Sequence, residues 1–178
     1  MNNLTDIGRD LMLLLQRRLR EKLQTQGHRL TGAMEQSLQF DISEMETGVL
    51  CTMYGTDYSI FLEKGVRPAN IPYTIGGSGN GGTSQYISGL IDFWEKRGLS
   101  GREAVGAAFA TATKHKREGM PTQSSYNFSS DGTRLGFAST VLEESENEII
   151  QMIETKYGYI LELSIGNAFE RLAGATVI

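Results

Sequence analysis

The chain contains little of the chemistry that disulfide scaffolds, metal sites and nucleophilic enzymes require. Its 178 residues include one cysteine, Cys51, and two histidines, His28 and His115. A single cysteine excludes an intrachain disulfide and suits a reducing compartment. Neither histidine has a cysteine or carboxylate at ligand spacing, so we expect no metal site. Cys51 alternates with Val49 and Met53, which predicts a small buried hydrophobe rather than a nucleophile.

Long apolar runs are also missing. No segment reaches the ~18 apolar residues that span a bilayer. The first residues mix acids and bases with apolar positions and lack the cleavage site of a signal peptide. We therefore expect a protein that is made in, and first acts in, a cytoplasm, without a membrane partner. With 39% hydrophobic and 21% charged residues, the composition predicts a folded globular chain, and its length suits a single domain.

The first part of the chain predicts a long helix followed by a hairpin. Apolar residues recur every three or four positions from about residue 3 to 26, which indicates an amphipathic helix that ends at Gly27. Apolar and polar residues then alternate in 38–42 and again in 49–53, the pattern of two strands of an antiparallel hairpin. Residues 58–62 predict either one turn of helix or a bent third strand, closed by Gly65.

The middle of the chain predicts a flexible glycine-rich loop over 66–85 and an αα-hairpin over 86–119. Gly98 is placed as the residue that ends the first of these two helices. Ser100 and Glu103 form a capping box that begins the second helix. That helix carries a face of small and apolar residues suited to close packing, namely Val105, Ala108, Phe109 and Ala112.

The last part predicts an extended arm over 120–136 and a C-terminal helix over 139–178, with an ambiguous segment. A second capping box, Thr140 with Glu143, opens this helix. Its apolar positions are Leu142, Ile149, Ile153 and Tyr157. Residues 158–166 fit either a strand or a continued helix. The predicted fold is one α+β domain over 1–178, a small antiparallel sheet packed by the long N-terminal helix, with an αα-hairpin and a C-terminal helix.

The glycine loop offers the only formal cofactor motif. Residues 77–82 match G-x-G-x-x-G, but no buried strand leads into them and no lysine follows, so the dinucleotide and phosphate-loop contexts are both absent. We predict a flexible assembly loop and no cofactor, and keep a nucleotide-binding protein as the alternative from another class. The loop glycines are Gly76, Gly77, Gly79, Gly81 and Gly82. No catalytic constellation is found elsewhere, so we expect a protein that is not an enzyme.

Charge is distributed unevenly along the chain. The net charge is −4, yet the first thirty residues are mostly basic and the last forty mostly acidic. The simplest interpretation is two solvated helix faces. A second basic cluster, residues 114–117, closes a helix, where the helix dipole favours positive charge. A weak DNA-facing role for either cluster stays open at this point.

Two short motifs carry a resemblance. Residues 30–38 form a T-G-x-[LM]-x-x-S-[LI] turn into a strand, and 58–65 are similar to a Y-A-x-[YF]-[VL]-E-x-G-[TS] segment. In this order, separated by a hairpin, they resemble the tail-completion or neck proteins of tailed bacteriophages over about residues 1 to 75. Val66 stands where that family usually has a hydroxyl residue. Residues 94–98 and 118–122 are similar to longer versions of the same proteins.

The resemblance implies a non-enzymatic virion protein assembled in the host cytoplasm. It implies a homo-oligomeric ring of roughly six subunits, or roughly twelve on a portal, between the portal or head-completion layer and the tail. DNA would pass through its channel without sequence-specific binding. A tail terminator, or another ring layer near the portal, is the alternative. The implied structural and interface residues are Thr31, Gly32 and Ser37 in the turn, and Tyr58, Phe61, Glu63 and Gly65 in the segment.

Three physical features agree with a ring. Short strands leave edges that neighbouring subunits extend. Polar loops such as 66–85 and 121–135 can fold upon binding a neighbour. A basic first helix and an acidic last helix can pair head to tail between subunits. A host-encoded regulatory or adaptor domain of the same fold is a further alternative.

Overall fold

The computed structural model describes residues 4–28, 31–76 and 84–174, with side chains described as far as Ile160 and at Glu162 and Ile165. The chain divides into two compact units, one formed by residues 1–59 with 136–178 and the other by 60–135. The sequence predicted a single unit. The second unit has its own core because segments near its two ends, at Val66 and Met120, pair with each other.

The α+β class is confirmed. The elements in chain order are α1 (Leu4–Thr25), α2 (Ala33–Ser37), β1 (Gln39–Met45), β2 (Gly48–Tyr54), α3 (Ser59–Lys64), a 3-10 helix (Pro68–Asn70), α4 (Gln85–Lys96), α5 (Gly101–Glu118), a second 3-10 helix (Gln123–Phe128) and α6 (Phe137–Gly174). Segment 58–65, predicted as either helix or strand, is therefore the helix α3.

Helix α1 is the centre of the first unit. It packs against the hairpin of β1 and β2 and against α6. Of the predicted apolar stripe, Ile7, Leu19 and Leu23 are buried, whereas Leu4 is exposed. Further residues are buried because the helix is covered on two sides; these are Gly8, Met12 and Leu14. Gly27, at φ 69°, follows the end of the helix as predicted.

The hairpin is antiparallel, as predicted, and its strands are longer than expected. The register pairs Gln39 with Tyr54 and Met45 with Gly48, which leaves Glu46 and Thr47 as the turn. It packs closely against α1 at Gly8. A Cβ added to Gly8 would lie 2.9 Å from the Cys51 Sγ, so α1 has no room there for a larger residue. Cys51 itself is half-buried rather than fully buried.

Polar side chains of α1 reach the backbone between α2 and β1. Gln16 Nε2 donates to the Leu38 carbonyl at 2.6 Å, and Arg20 Nε donates to the Glu35 carbonyl at 3.1 Å. Carbonyls at the end of a short helix need such partners because the helix itself supplies none. These bonds attach the turn that precedes β1 to α1.

Helix α6 is continuous over 38 residues, which resolves the ambiguity at 158–166 in favour of helix. It begins earlier than predicted, after Gly136 at φ 69°. The Thr140 N–H donates to the Gly136 carbonyl at 2.9 Å, so Thr140 and Glu143 lie inside the helix. The predicted capping box is wrong for this reason.

In the second unit, α4 and α5 form the predicted αα-hairpin, with Gly98 at φ 94° after α4. Ser100 precedes α5, but its side chain makes no capping hydrogen bond, so the first capping box is also wrong. Gly101 follows it at φ 52°, outside the helical region that a capping box requires. The buried face of α5 is Ala104, Ala108 and Ala112. The predicted members Val105 and Phe109 are exposed instead.

The segment predicted as a flexible loop is ordered in its first part. Its 3-10 helix leads into Ile71, which is 2% exposed. Lys116 Nζ donates to the Ile71 carbonyl at 3.0 Å. Gly76 adopts φ 72°, and no described atom lies within 4 Å of the position that a Cβ would take there. The other loop glycines, Gly77, Gly79, Gly81 and Gly82, lie outside the described residues.

The segment predicted as an extended arm is folded. It contains the 3-10 helix Gln123–Phe128 and then a turn in which Asp131 accepts from the Thr133 N–H at 2.9 Å. The Gln123 N–H donates to Glu118 Oε2 at 2.8 Å. The Arg97 guanidinium lies 4.8 Å from the Phe93 ring centroid and 5.3 Å from that of Phe128. These contacts hold the segment to both helices of the αα-hairpin, so the prediction of an extended arm is wrong.

Candidate assembly surface

The turn motif is built from backbone geometry and short hydrogen bonds. Gly32 adopts φ 74° immediately before α2, a conformation that favours glycine. Thr31 Oγ1 accepts from the Ala33 N–H at 3.3 Å. Ser37 Oγ donates to the Met34 carbonyl at 2.8 Å and accepts from the Thr56 N–H at 3.3 Å. Ser37 therefore connects the turn before the hairpin to the loop after it.

The second motif is α3 with its flanks. Leu62 is buried, whereas Tyr58 and Phe61 each expose about half of their surface. Glu63 is half-buried. Gly65, at φ 70°, follows the helix, and its N–H donates to the Phe61 carbonyl at 2.9 Å. One residue of the motif therefore anchors the helix, and its aromatic residues face outward.

Gly65 also belongs to a backbone bridge that joins the two ends of the second unit. Val66 and Met120 exchange two N–H to carbonyl hydrogen bonds, each 2.8 Å long. A Cβ on Gly65 would lie 2.6 Å from the Met120 carbonyl oxygen, and one on Gly119 would lie 2.5 Å from that of Val66. Segments 58–65 and 118–122, which lie far apart in sequence, therefore come together at this bridge, where the two glycines allow the close approach of the backbones. Val66 takes part through its backbone, so the bridge does not require the usual hydroxyl side chain.

One exposed apolar surface of the first unit lies on α6. The helix turns Phe137, Val141 and Ser145 inward, all buried. Another side of the helix carries apolar residues that we call the outer stripe: Leu142, Ile149, Ile150, Ile153 and Tyr157. Leu142 is 54% exposed and Tyr157 is 45% exposed, with Ile150 and Ile153 at similar values. The predicted apolar positions of this helix all belong to the outer stripe, so its periodicity marks a face that the described fold leaves exposed.

Acidic residues lie within and beside the outer stripe. Glu143 and Glu146 line a shallow depression together with Leu142, Ile149 and Ile150. Glu154 is exposed one residue beyond Ile153. The surface is therefore mostly apolar, with Glu146 between Leu142 and Ile150 and further acidic residues at its edge. The sequence contains the signal for it, because apolar residues extend around α6 through a wider arc than one packed helix covers.

The basic first helix and the acidic last helix pair within the chain. Lys22 binds Glu144 at 3.1 Å, Arg18 binds Glu148 at 2.9 Å, and Asp10 binds Lys156. From one pair to the next, the residue number decreases along α1 by the same amount as it increases along α6. This is the pattern of two antiparallel helices. A hydrogen bond from Arg18 to Glu148, with the charge of Glu148, raises the pKa of Arg18. Lys22 and Arg18 therefore pair with α6 of their own chain, and the prediction that such charges pair between subunits is wrong for these two residues.

The hairpin presents a second exposed surface in the first unit. Met45, Leu50 and Tyr54 point away from α1 and are each more than half exposed. Among the described residues no third strand pairs with β1 or β2. Alternate backbone groups of an edge strand point outward and remain available to a neighbouring strand.

The basic cluster 114–117 is partly engaged within the second unit. Lys114 Nζ donates to Ser124 Oγ at 2.6 Å, and Lys116 donates to the Ile71 carbonyl. His115 Nδ1 lies 2.7 Å from the Tyr86 hydroxyl. Burial raises the pKa of Tyr86 to about 12. Burial also lowers the pKa of His115, an effect that the nearby charge of Glu118 opposes. Burial therefore favours the neutral form of both groups.

The described residues contain no cluster that could hold a metal ion and no helix that could span a membrane. Within 4–28, 31–76 and 84–174, no group of three or more histidine, cysteine or carboxylate side chains is arranged to hold a metal ion. None of the helices described there combines the length and apolar character needed to cross a membrane. Comparison with protein families, with curated proteins and with solved structures gives no match.

Proposed function

We propose that this protein is a non-enzymatic virion subunit of a tailed bacteriophage, a ring-forming head–tail connector or tail-completion protein. It joins the portal or head-completion layer to the tail and leaves a channel for DNA. The two motifs that resemble neck proteins support this proposal. Gly32, Ser37 and Gly65 act through turns and backbone contacts, and Tyr58 and Phe61 face outward, which suits residues that shape and present an interface.

The observation that carries the proposal is the hairpin. A two-stranded sheet is marginal by itself and needs a packed face, which α1 supplies here. Its opposite face is apolar at Met45, Leu50 and Tyr54. Polar residues, Asp41 and Thr52 among them, share this face. Strand edges beside exposed apolar side chains are a surface by which one subunit extends the sheet of the next. Repetition of such a contact around an axis produces a ring.

The first test is the assembly state of the purified protein. Light scattering after size-exclusion chromatography should give a mass several times that of the chain, and negative-stain images should show closed rings with a central opening. The double substitution Leu50→Lys with Tyr54→Lys should reduce the ring fraction, because it places charges in the apolar face. Gln151→Lys, on an exposed position of α6, is the matched control and should assemble normally. A wild-type protein that stays monomeric at all concentrations would contradict the proposal.

The layer within the virion is tested by binding. A connector or tail-completion subunit should bind isolated portal or head-completion rings at one end and tail tubes at the other. A tail terminator should bind the tail tubes only. Binding to neither would contradict a role in the neck.

A further inference from the structure

Helix α5 in the second unit carries a face that the described residues of that unit leave exposed. Residues 104–112 contain no charged side chain, although only Ala104, Ala108 and Ala112 are buried. The outer face of α5, defined as Val105, Gly106, Phe109 and Ala110, is exposed. A helix segment that is apolar all round is normally covered all round. This face therefore has the composition of a buried surface.

The outer face of α5 and the outer stripe of α6 are complementary in shape. The stripe carries large side chains, Leu142, Ile150 and Ile153 among them. The α5 face is small at Gly106 and Ala110, and no described atom lies within 4 Å of a Cβ placed on Gly106. Ridges of large side chains on one helix pack well into grooves over small residues on another.

The two surfaces are also complementary in charge. Arg102 and Arg117 are exposed at the two ends of the outer face of α5, and helical spacing places them on the same side as Gly106 and Ala110, with the exposed Glu103 beside Arg102. Only the end at Arg117 therefore has a basic residue without an acidic neighbour on that face. On α6, Glu146 lies within the outer stripe between Leu142 and Ile150, and Glu143 and Glu154 lie at its edge. Opposite charges around an apolar centre fix the register of a contact and disfavour other partners.

We infer that the outer stripe of α6 in one copy of the chain docks on the outer face of α5 in the next copy. The inference rests on the proposed ring and adds a second contact between neighbouring subunits to the one made by the hairpin. Because the two surfaces differ, the contact is heterologous, and each subunit keeps one free donor surface and one free acceptor surface until the ring closes. The apolar residues bury each other, and acidic residues of α6 lie opposite Arg117.

Two variants that each destroy one surface provide the test. Ile153→Glu puts a charge into the outer stripe, and Ala110→Glu puts one into the outer face of α5, opposite the acidic flank. Each variant alone should associate at least ~100-fold more weakly than wild type, because a charge buried in such a contact is unpaired. An equimolar mixture should form a heterodimer, since one intact surface of each kind remains. Gln151→Glu and Ala110→Ser are the controls and should assemble like wild type.

A charge reversal supplies a second measurement. Glu146→Arg and Arg117→Glu should each weaken association, and the two together should restore it partly, an effect that added salt reduces. Rings that persist in every variant would overturn this contact and leave the connector function standing. Loss of assembly in Ile153→Glu with full assembly in Ala110→Glu would also overturn it, in favour of a self-pairing stripe. A monomeric wild-type protein would overturn the proposed function as well.

Discussion

The two units of this chain differ in how their elements pack against one another. In the first unit, long aliphatic side chains of α1 fill the space between the hairpin and α6, with Leu23 only 1% exposed. In the second, three alanines form the buried face of α5, and the unit is closed by a bridge at Gly65 and Gly119. The first unit therefore depends mainly on large buried side chains, whereas the second combines buried Leu62, Ile71 and Ile87 with positions where no side chain fits.

The largest effect is expected from Gly119→Ala in the second unit. A Cβ there would lie 2.5 Å from the Val66 carbonyl oxygen, at φ 86°. Backbone strain and the clash together should cost about 4 kcal/mol of unfolding free energy. Denaturant unfolding measures this cost, and hydrogen exchange at the Val66 and Met120 amides should show the bridge opening.

Gly132→Ala is the matched control for that prediction. Gly132 has a similar φ of 75° but no described atom within 4 Å of its Cβ position. It should lose only about 1 kcal/mol, from backbone strain. Equal losses in the two variants would mean that φ, rather than the close approach of the bridge, sets the requirement for glycine.

Leu23→Ala tests the side-chain dependence of the first unit. Removing a fully buried leucine side chain should cost about 3 kcal/mol, through lost burial and the cavity left behind. Leu13→Ala, at a position 49% exposed on the same helix, should cost well under ~1 kcal/mol. Hydrogen exchange should locate the effect of Leu23→Ala in the first unit. Equal loss of protection at Val66 and Met120 would break the distinction between the units.

Gly8→Ala tests a position where the first unit also depends on a missing side chain. The new Cβ would meet the Cys51 Sγ at 2.9 Å, which should cost about 1–2 kcal/mol, partly offset by the better helix propensity of alanine. In Cys51→Ala the sulfur is gone, so the same substitution should cost less there. A double-mutant cycle measures this coupling. Strict additivity would show that α1 and β2 adjust freely at this contact.

The smallest effect is the pH dependence of the second unit. Burial holds the pKa of His115 below 6.5, so the unfolded chain binds a proton more readily, and stability should fall as the pH drops below about 6.5. Burial shifts the pKa of Tyr86 in the opposite direction. Its pKa of about 12 lies above the ordinary value of 10, so stability should also fall as the pH rises from 10 toward 12.

His115→Gln should flatten the acidic part of the profile and leave the alkaline part in place. The measurement is the free energy of unfolding from about pH 5 to about pH 7.5, a range that spans the ordinary pKa of histidine. An unchanged acidic slope in this variant would place its origin in other groups, and would remove the buried pair from the features that distinguish the second unit.

Local patterns in the sequence predicted the α+β class, the long first helix, the antiparallel hairpin and the αα-hairpin. Each of these depends on residues close together in the chain, such as the alternation in 38–42 or the glycines at 27 and 98. Both predicted capping boxes were wrong, because a capping box is a short sequence pattern and residues outside it decide where the helix begins. Gly101 disrupts one, and the early start of α6 places the other inside the helix.

For the candidate surfaces too, local patterns predicted the helices but not which residues are covered. Leu142, Ile149, Ile153 and Tyr157 were recognised as apolar positions of a helix, but periodicity cannot say whether α1 covers them. Val105 and Phe109 were assigned to the packed face of α5 and are exposed instead. The three ion pairs between α1 and α6 were missed as intrachain contacts because their members are more than 120 residues apart.

The sequence by itself determined the long first helix, the antiparallel hairpin and the αα-hairpin, because backbone preference and the period of apolar residues are local properties. Tertiary structure alone decided which apolar face of α6 is buried, which charges pair, and that Val66 and Met120 form a bridge beside Gly65 and Gly119. Those outcomes depend on which distant segments come together, and burial and close approach are properties of that arrangement rather than of any single segment.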